Sequence, residues 1–341
     1  MSSTIIRLQQ LGFPWQTQDP FLFCAHHRDL YPSGDEQLGI PDHLKSGRNI
    51  GQDFMLKDGF RMYHGSHVPG FPYHPHRGFE TITINKEGIV DHSDSLGGAG
   101  RFGAGDVQWM TAGKGILHSE MFPMLHNDKK NTLEIFQVWL NLPRVSKMVP
   151  PHFKMLWSED VPVITHTNES GNTTTIDLIA GMLGSHTSLE PTPNSWAAHP
   201  ENEVLVATIQ MDAGASYRLP KAVSSEAKRT LYFYRGNTIE IDHTAVTVNH
   251  SIEVKSTEEL ELKNTSKEAA FLLVLQGKPI NEPVAQHGPF VMNTQQEIRE
   301  AFADYQQTQF GGWPWPEQEQ VHDRNKGRFA LHSDGREEIR S

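Results

Sequence analysis

The sequence has almost no cysteine and no long hydrophobic run, and both shortages limit what the protein can be. Cys24 is the only cysteine among 341 residues, so no disulfide can form within the chain, which fits a reducing compartment. Because Cys24 lies in the apolar run 20–24, we expect a buried packing residue rather than a catalytic thiol. No apolar run approaches the roughly eighteen residues of a membrane helix. The N-terminus also lacks the basic flank and long apolar stretch of a secretory signal, so we expect a cytoplasmic protein without a membrane partner.

Positive charge is scarce as well. The chain carries 30 Lys and Arg residues against 41 Asp and Glu residues, which gives a formal net charge of −11. An acidic chain without a basic block is a poor candidate for binding nucleic-acid phosphates or anionic lipid. We therefore expect no direct nucleic-acid partner. The length exceeds that of a usual single domain and favours two domains.

Short runs of β-branched and aromatic residues, separated by glycines, fill most of the chain. Such runs occur at 80–84, 106–110, 133–140, 175–180, 203–209, 229–234 and 270–275. Their period of two and their close spacing predict an all-β protein built from sandwiches or barrels. One convincing helix is predicted over 295–305, with Asn293 or Thr294 as its N-cap and an apolar stripe at helical spacing.

A weak internal repeat suggests two related barrel lobes. The run 80–84 leads to a turn at Gly88 much as the run 229–234 leads to Gly236. We predict an N-terminal lobe over residues 1–150, a connecting segment over 151–199, a C-terminal lobe over 200–310 and a tail over 311–341.

Two pairs of metal-competent side chains are the most informative feature of the chain. His74 and His76 are separated by one residue, and His118 and Glu120 follow about forty residues later, just after a glycine turn. On a β-strand, positions i and i+2 point to the same face. Two such strands facing each other inside a barrel would direct three imidazoles and one carboxylate at one point. Pro75 cannot donate a ladder hydrogen bond, so its strand is expected to lie at a sheet edge or to contain a bulge.

The donor atoms narrow the choice of metal. Imidazole nitrogen and carboxylate oxygen suit Fe, Mn, Ni, Cu or Zn, whereas the lack of a thiolate excludes a structural zinc site of the cysteine type. The second lobe is expected to lack the site, because aligning the turn glycines puts Ala222 and Ser224 at the positions of His74 and His76.

Two further features remain open at this stage. Glu80 lies an even number of residues from both histidines, so it could face the site without being a ligand, provided that no bulge intervenes. The tail segment 311–316 reads GGWPWP and cannot be a regular helix or a central strand. We expect its tryptophans to pack over a lobe surface, and a binding loop is the alternative.

The motifs also carry a family resemblance. The spacing His-x-His-x3-Glu, followed by Gly-Asp-x5-Ala-Gly-x4-His, resembles the two signature motifs of the cupin superfamily. More specifically, the segments 74–81, 108–121 and 286–294 resemble the pirin family. The resemblance implies two tandem cupin barrels, of the double-stranded β-helix or jelly-roll type, with a late helix. It also implies a metal in the N-terminal lobe only, most often Fe(II), held by residues that correspond to His74, His76, His118 and Glu120.

The resemblance leaves three functions open. Pirin-family proteins are associated with flavonol (quercetin) 2,3-dioxygenase activity, which implies a metal-dependent dioxygenase for a flavonol-like small molecule. In that reaction Glu120 is the candidate catalytic residue, as acceptor of the substrate's hydroxyl proton. The alternatives are a non-enzymatic iron-binding regulator that acts through protein partners, or another metal-dependent small-molecule enzyme such as an isomerase. The segment 24–62 is longer than in the best-known pirins and could reshape the site entrance.

Overall fold

Strands make up almost all of the regular structure in the computed structural model, which describes residues 4–340. Contacts divide these residues into two lobes, each assembled from separate parts of the chain. The first lobe comprises residues 26–138, 142–158 and 282–340, and the second lobe comprises residues 4–25, 139–141 and 159–281. Sequence reasoning divided the chain into consecutive ranges, whereas these lobes are interleaved along it.

The second lobe is built from two main antiparallel sheets and one short two-stranded sheet. Its strands are β1 (Ile5–Gln10), β11 (Val163–Thr167), β12 (Thr173–Ala180), β13 (Met182–Leu183), β14 (His186–Thr187), β15 (Leu205–Met211), β16 (Ser216–Leu219), β17 (Lys228–Arg235), β18 (Thr238–Ile241), β19 (Thr244–Thr247), β20 (His250–Val254), β21 (Leu260–Asn264) and β22 (Ala270–Gly277). One sheet has seven strands in the order β1-β20-β17-β22-β15-β12-β11, and the other has four in the order β16-β21-β18-β19. Apolar side chains from both sheets, among them Leu231, Phe233, Ile241 and Leu262, pack into one core. The alternation of strand side chains thus fills this lobe with hydrocarbon.

The first lobe likewise has two main sheets and one short two-stranded sheet. Its strands are β2 (Phe21–Tyr31), β3 (Gly70–His76), β4 (Phe79–Glu87), β5 (Ile89–Asp94), β6 (Ala99–Gly103), β7 (Val107–Thr111), β8 (Ile116–Met121), β9 (Asn131–Asn141), β10 (His152–Leu156), β23 (Ala285–His287), β24 (Phe290–Met292), β25 (Arg328–Leu331) and β26 (Glu337–Arg340). A five-stranded sheet has the order β10-β7-β4-β9-β2, and a six-stranded sheet has the order β26-β25-β6-β5-β8-β3. The predicted all-β fold is confirmed.

The predicted late helix is present and belongs to the first lobe. Helix α1 runs over Gln295–Thr308, and Thr294 caps it in a capping box with Glu297. Its buried face includes Ile298 and packs against the β23–β24 hairpin through Phe290. The short 3-10 turns are Asp42–Leu44, Arg144–Ser146, Trp196–Ala198, Pro200–Asn202 and Gln309–Gly311. Over residues 4–340, no helix combines the length and the apolar character needed to cross a membrane.

The C-terminal tail packs on the first lobe, as its tryptophan-proline sequence predicted. Trp315 Nε1 donates a hydrogen bond to Asp94 O at 2.8 Å, and Trp313 stacks on Tyr73 with ring centroids 5.0 Å apart. Farther along, β25 pairs with β6 and β26 pairs with β25. These two strands extend the six-stranded sheet, and the sequence pattern did not predict them.

A buried ion pair between Arg101 and Asp91 holds part of this tail. Arg101 Nε and Nη2 donate to Asp91 Oδ1 and Oδ2 at 2.7 and 2.8 Å, and both side chains are buried. The same guanidinium donates to the backbone oxygens of residues 322, 323 and 326. A bidentate pair fixes direction as well as charge, so it ties the tail to strands β5 and β6.

Removing the carboxylate of this pair should destabilise the protein strongly. Asp91→Ala is expected to lower the free energy of unfolding by about 3–5 kcal/mol, because it leaves a buried guanidinium without its counter-charge. Thermal unfolding followed by circular dichroism measures the loss. The control is Asp128→Ala, which removes an exposed carboxylate of the same lobe. Equal shifts in the two variants would contradict the expectation.

Candidate metal centre

Strands β3 and β8 bring the two predicted pairs to one face of the first lobe. In the antiparallel ladder His74 lies opposite His118, and Phe71 lies opposite Glu120. Residues directly opposite each other share a face, so these four side chains point the same way. The register shifts by one residue between Phe71 and His74, which marks a bulge in β3. Pro75 predicted an edge strand or a bulge, and β3 does lie at the end of its sheet, while its bulge falls before His74 rather than at Pro75.

Three of the predicted ligands converge. His74, His76 and His118 each offer a ring nitrogen, and these atoms lie within 4.8 Å of one another. The ring centroids of the three pairs are 4.5, 4.7 and 4.9 Å apart. Burial lowers the pKa of His74 to about 4 and depresses the pKa values of His76 and His118 well below their ordinary value. All three imidazoles are therefore neutral near pH 7 and have lone pairs to offer a metal.

Hydrogen bonding orients His74 and leaves His118 without a partner. Pro72 O can only accept, so the 2.9 Å contact from His74 Nδ1 assigns the proton to Nδ1 and leaves Nε2 as the free lone pair. His118 is fully buried, and neither of its ring nitrogens has a hydrogen-bond partner among residues 4–340. Burying an imidazole in this way costs free energy unless a ligand compensates for it. A metal of the type that neutral imidazole prefers fits this donor set.

Glu120 lies beside the imidazole cluster, where two polar neighbours hold its carboxyl group. Its Oε2 is 3.9 Å from His118 Nε2 and accepts a hydrogen bond from Gln137 Nε2 at 2.8 Å. Its Oε1 is 2.8 Å from Thr83 Oγ1, which is also 2.7 Å from Gln137 Oε1. A hydroxyl has one proton and can donate to only one of these two oxygens. If Glu120 is protonated, it donates to Thr83 and all three contacts become hydrogen bonds. Burial accordingly raises the pKa of Glu120.

Sequence reasoning missed a second pair on the same inner face. In strand β5, His92 lies opposite Glu120 and Asp94 lies opposite His118. His92 is fully buried, its Nε2 is 3.2 Å from Asp94 Oδ2, and its ring centroid is 5.6 Å from that of His118. Asp94 Oδ1 accepts from two backbone amides of the following turn at 2.8 and 2.9 Å. The signal was available, because His92 and Asp94 have the same i, i+2 spacing as the predicted pairs.

Glu80 does not join the centre. It lies three residues from Thr83 on strand β4, so the two side chains point to opposite faces of that strand, and Thr83 contacts Glu120. Glu80 Oε1 instead accepts from Thr111 Oγ1 at 2.7 Å. The turn at Gly78 interrupts the strand between His76 and Glu80, so the even spacing does not put their side chains on the same face.

Aromatic rings lie next to His74, which is the partly exposed member of the cluster. The centroid of Phe71 is 6.2 Å from that of His74, and the centroid of Phe54 is 6.4 Å from that of Phe71. Phe54 also contacts His64 edge-on at 4.9 Å and remains 39% exposed. Phe54 belongs to the long segment 24–62, so this segment does contribute to the surroundings of the site.

Comparison with known proteins agrees with the motifs. Residues 8–140 match the profile of the family described as Pirin, and residues 206–311 match the profile described as Pirin C-terminal cupin domain. Mouse pirin is 34% identical over 272 residues, which cover 76% of this chain and 82% of the mouse protein. Pirin-1 of Arabidopsis thaliana is 37% identical over 249 residues, which cover 71% of this chain and 78% of the plant protein.

A solved structure supports the same assignment for the fold. The crystal structure of quercetin 2,3-dioxygenase from Acinetobacter baumannii superposes with a TM-score of 0.68 and 26% sequence identity. The superposition covers 91% of this chain and 98% of the bacterial chain. The two lobes are thus two cupin domains, and the chain belongs to the pirin family.

Proposed function

We propose that the first lobe binds a divalent transition metal and that the protein is a metal-dependent dioxygenase for a flavonol-like small molecule. The observation that carries the metal site is the cluster of His74, His76 and His118, with both nitrogens of the buried His118 unpartnered among the described residues. Glu120 is the fourth proposed ligand. Fe(II) is the first choice, and Mn, Ni, Cu or Zn would suit the same donors. The flavonol is suggested by the name of the bacterial dioxygenase whose structure resembles this chain.

The metal and the protein would divide the chemistry between them. A divalent ion at this site supplies Lewis-acid activation of an enolate oxygen and a means of bringing dioxygen close to it. The three neutral imidazoles hold the ion without adding charge. With one carboxylate in the set, the site keeps a net positive charge that favours an anionic substrate oxygen.

Glu120 is the proposed acceptor of the substrate's hydroxyl proton. Burial raises the pKa of its carboxyl group, which brings the group closer to the working pH and makes it a better base. Thr83 and Gln137 keep the carboxyl group in one orientation. The proton would be taken up at Oε1, which could then donate to Thr83 Oγ1, while Oε2 lies 3.9 Å from His118 Nε2.

The aromatic rings near His74 support a flat aromatic substrate. Phe71 shares the inner face with the ligands, and Phe54 continues the aromatic surface outward. Ring faces and edges of this kind bind aromatic ligands by offset or edge-on packing.

One observation favours a second candidate, a regulator that acts through protein partners. Phe54 is followed by Met55 and Leu56, which are 81% and 58% exposed. Three consecutive exposed apolar side chains are a feature of protein-binding surfaces. Capture of the same partners by Fe(II)-loaded, Fe(III)-loaded and His74→Ala protein would argue against a role for the metal in such regulation.

Metal binding should stabilise the protein through the three histidines. At a free Fe(II) or Zn(II) concentration one hundred times the dissociation constant, the gain is about 2.7 kcal/mol. His118→Ala should abolish this gain, whereas His126→Ala, which removes an exposed imidazole of the same lobe, should keep it. Thermal unfolding measures the gain in stability, and elemental analysis of the dialysed proteins measures the bound metal. An equal metal content in wild type and His118→Ala would contradict the site.

Glu120 should make the metal-free protein less stable as the pH rises. Its folded-state pKa is raised above the ordinary value of 4.5, so the stability that the protonated carboxyl group contributes is present below that pH. This stability is lost as the pH rises through the folded-state pKa. Glu120→Gln stays neutral and can still donate to Thr83, so its unfolding temperature should exceed that of the wild type by a margin that grows above pH 4.5.

The control for this comparison is Glu87→Gln, which alters an exposed glutamate of the same lobe. Both variants and the wild type are unfolded after chelation, across a pH series. If Glu120→Gln and the wild type had the same unfolding temperature at every pH, ionising the buried carboxyl group would not destabilise the folded protein, which would contradict the expectation.

Oxygen uptake tests the proposed reaction. Iron-loaded protein should consume dioxygen when a flavonol such as quercetin is added, and His74→Ala should not. A known quercetin dioxygenase serves as positive control. Turnover that persists without oxygen would instead indicate an isomerase or a related metal enzyme. Metal-loaded protein that leaves both dioxygen and flavonol unchanged would count against the dioxygenase.

A further inference from the structure

The bulge in strand β3 lies directly before the first metal-binding histidine. It contains Pro72 and Tyr73, between the paired residues Phe71 and His74. Pro72 supplies the carbonyl oxygen that accepts from His74 Nδ1 at 2.9 Å. The geometry of the bulge therefore decides how the His74 ring is turned.

The C-terminal tail contacts this bulge at two points. The bulge takes Tyr73 out of the register with strand β8, and its backbone N–H donates instead to Gln318 O at 3.1 Å. The ring of Tyr73 stacks on Trp313, with centroids 5.0 Å apart and planes 25° from parallel. Trp313 Nε1 donates to Glu317 O at 2.8 Å, which closes the tail into a tight loop. The loop thus accepts the backbone hydrogen bond of Tyr73 and also packs against its ring.

The same loop is anchored on either side of the metal strands. The carboxylate of Glu319 accepts from the backbone amides of residues 66, 67 and 68, at 2.6, 3.2 and 3.2 Å, just before β3 begins. Trp315 Nε1 donates to Asp94 O at the end of β5. Strand β8 lies between β5 and β3 in the sheet order. Charge-assisted bonds to three amides make the Glu319 anchor a strong one.

We propose that this tail loop, residues 313–319, positions His74 for metal binding by fixing the bulge at Pro72 and Tyr73. The inference rests on the proposed metal site and adds a component to it. The two family profiles match residues 8–140 and 206–311, so the loop lies outside both profiles. Trp313 and Glu319 act through other residues and are positioning residues, not ligands.

Cobalt binding tests the inference without any turnover. Trp313→Ala should weaken Co(II) affinity by about tenfold or more, the range typical of groups that orient a metal ligand. Trp313→Phe keeps a ring to stack on Tyr73 and should stay within about threefold of the wild type. The matched control is Trp196→Ala in the second lobe, where Nε1 likewise donates to a backbone oxygen, that of Lys278 at 2.9 Å. Affinity is measured by competition with a chelator, together with the visible absorption spectrum of bound Co(II).

The outcomes separate this inference from the metal site itself. Wild-type protein that binds no Co(II) would defeat the metal site. Wild type that binds Co(II), with Trp313→Ala matching it in affinity and spectrum, would defeat the positioning role alone. If Trp313→Ala does not fold, Glu319→Gln provides the same test. This substitution removes the negative charge that accepts hydrogen bonds from the three backbone amides, but it keeps the shape of the side chain. Its affinity should then fall, and an unchanged affinity would overturn the inference.

Discussion

The proposed metal centre depends on one irregularity in a regular strand, the bulge between Phe71 and His74. Side chains of a strand alternate between its faces, so residues three apart normally point in opposite directions. The extra residue in β3 lets Phe71 pair with Glu120 while His74 pairs with His118. A one-residue slip of register would turn a whole set of side chains away from the inner face. Phe71 and the first proposed ligand, His74, thus share a face only because the strand is bulged.

The inner face of the first lobe carries a desolvation cost that the second lobe avoids. The second lobe closes its sheets over aliphatic and aromatic side chains. The first lobe buries His118 without hydrogen bonds from the described residues, and it buries Glu120 in a ring with Thr83 and Gln137 that is complete only when the carboxyl group is protonated. Both features make sense if a cation offsets the cost, because a metal replaces the missing contacts of the imidazole and favours the ionised carboxylate. The free energy lost by burying these groups without a metal would therefore be regained when a metal binds.

Sequence periodicity predicted the centre better than it predicted its surroundings. The i, i+2 spacing predicted that His74, His76 and His118 come together, and their ring nitrogens do lie within 4.8 Å of one another, because the bulge of β3 ends before His74. The same spacing could not decide the position of Glu80, because the turn at Gly78 resets the alternation between β3 and β4. It could not find Thr83 or Gln137, since contacts across a sheet sandwich depend on which strands face each other. The interleaving of the lobes was hidden for the same reason, because β1 pairs with β20 and β25 with β6 across long stretches of chain.

Strand β3 lies at the end of the six-stranded sheet, where the C-terminal tail contacts it. An edge strand leaves His74 partly open to solvent, as the proposed function would need, but it also presents unpaired backbone groups. Pro72 and Pro75 have no backbone N–H to donate, and the N–H of Tyr73 donates to Gln318 O. The edge is thereby closed to pairing with other chains while the imidazole stays accessible. The tail binds the backbone of the strand at Tyr73, which orders the strand. The side chain of His74 still stays partly exposed, so ordering the strand does not close the proposed site.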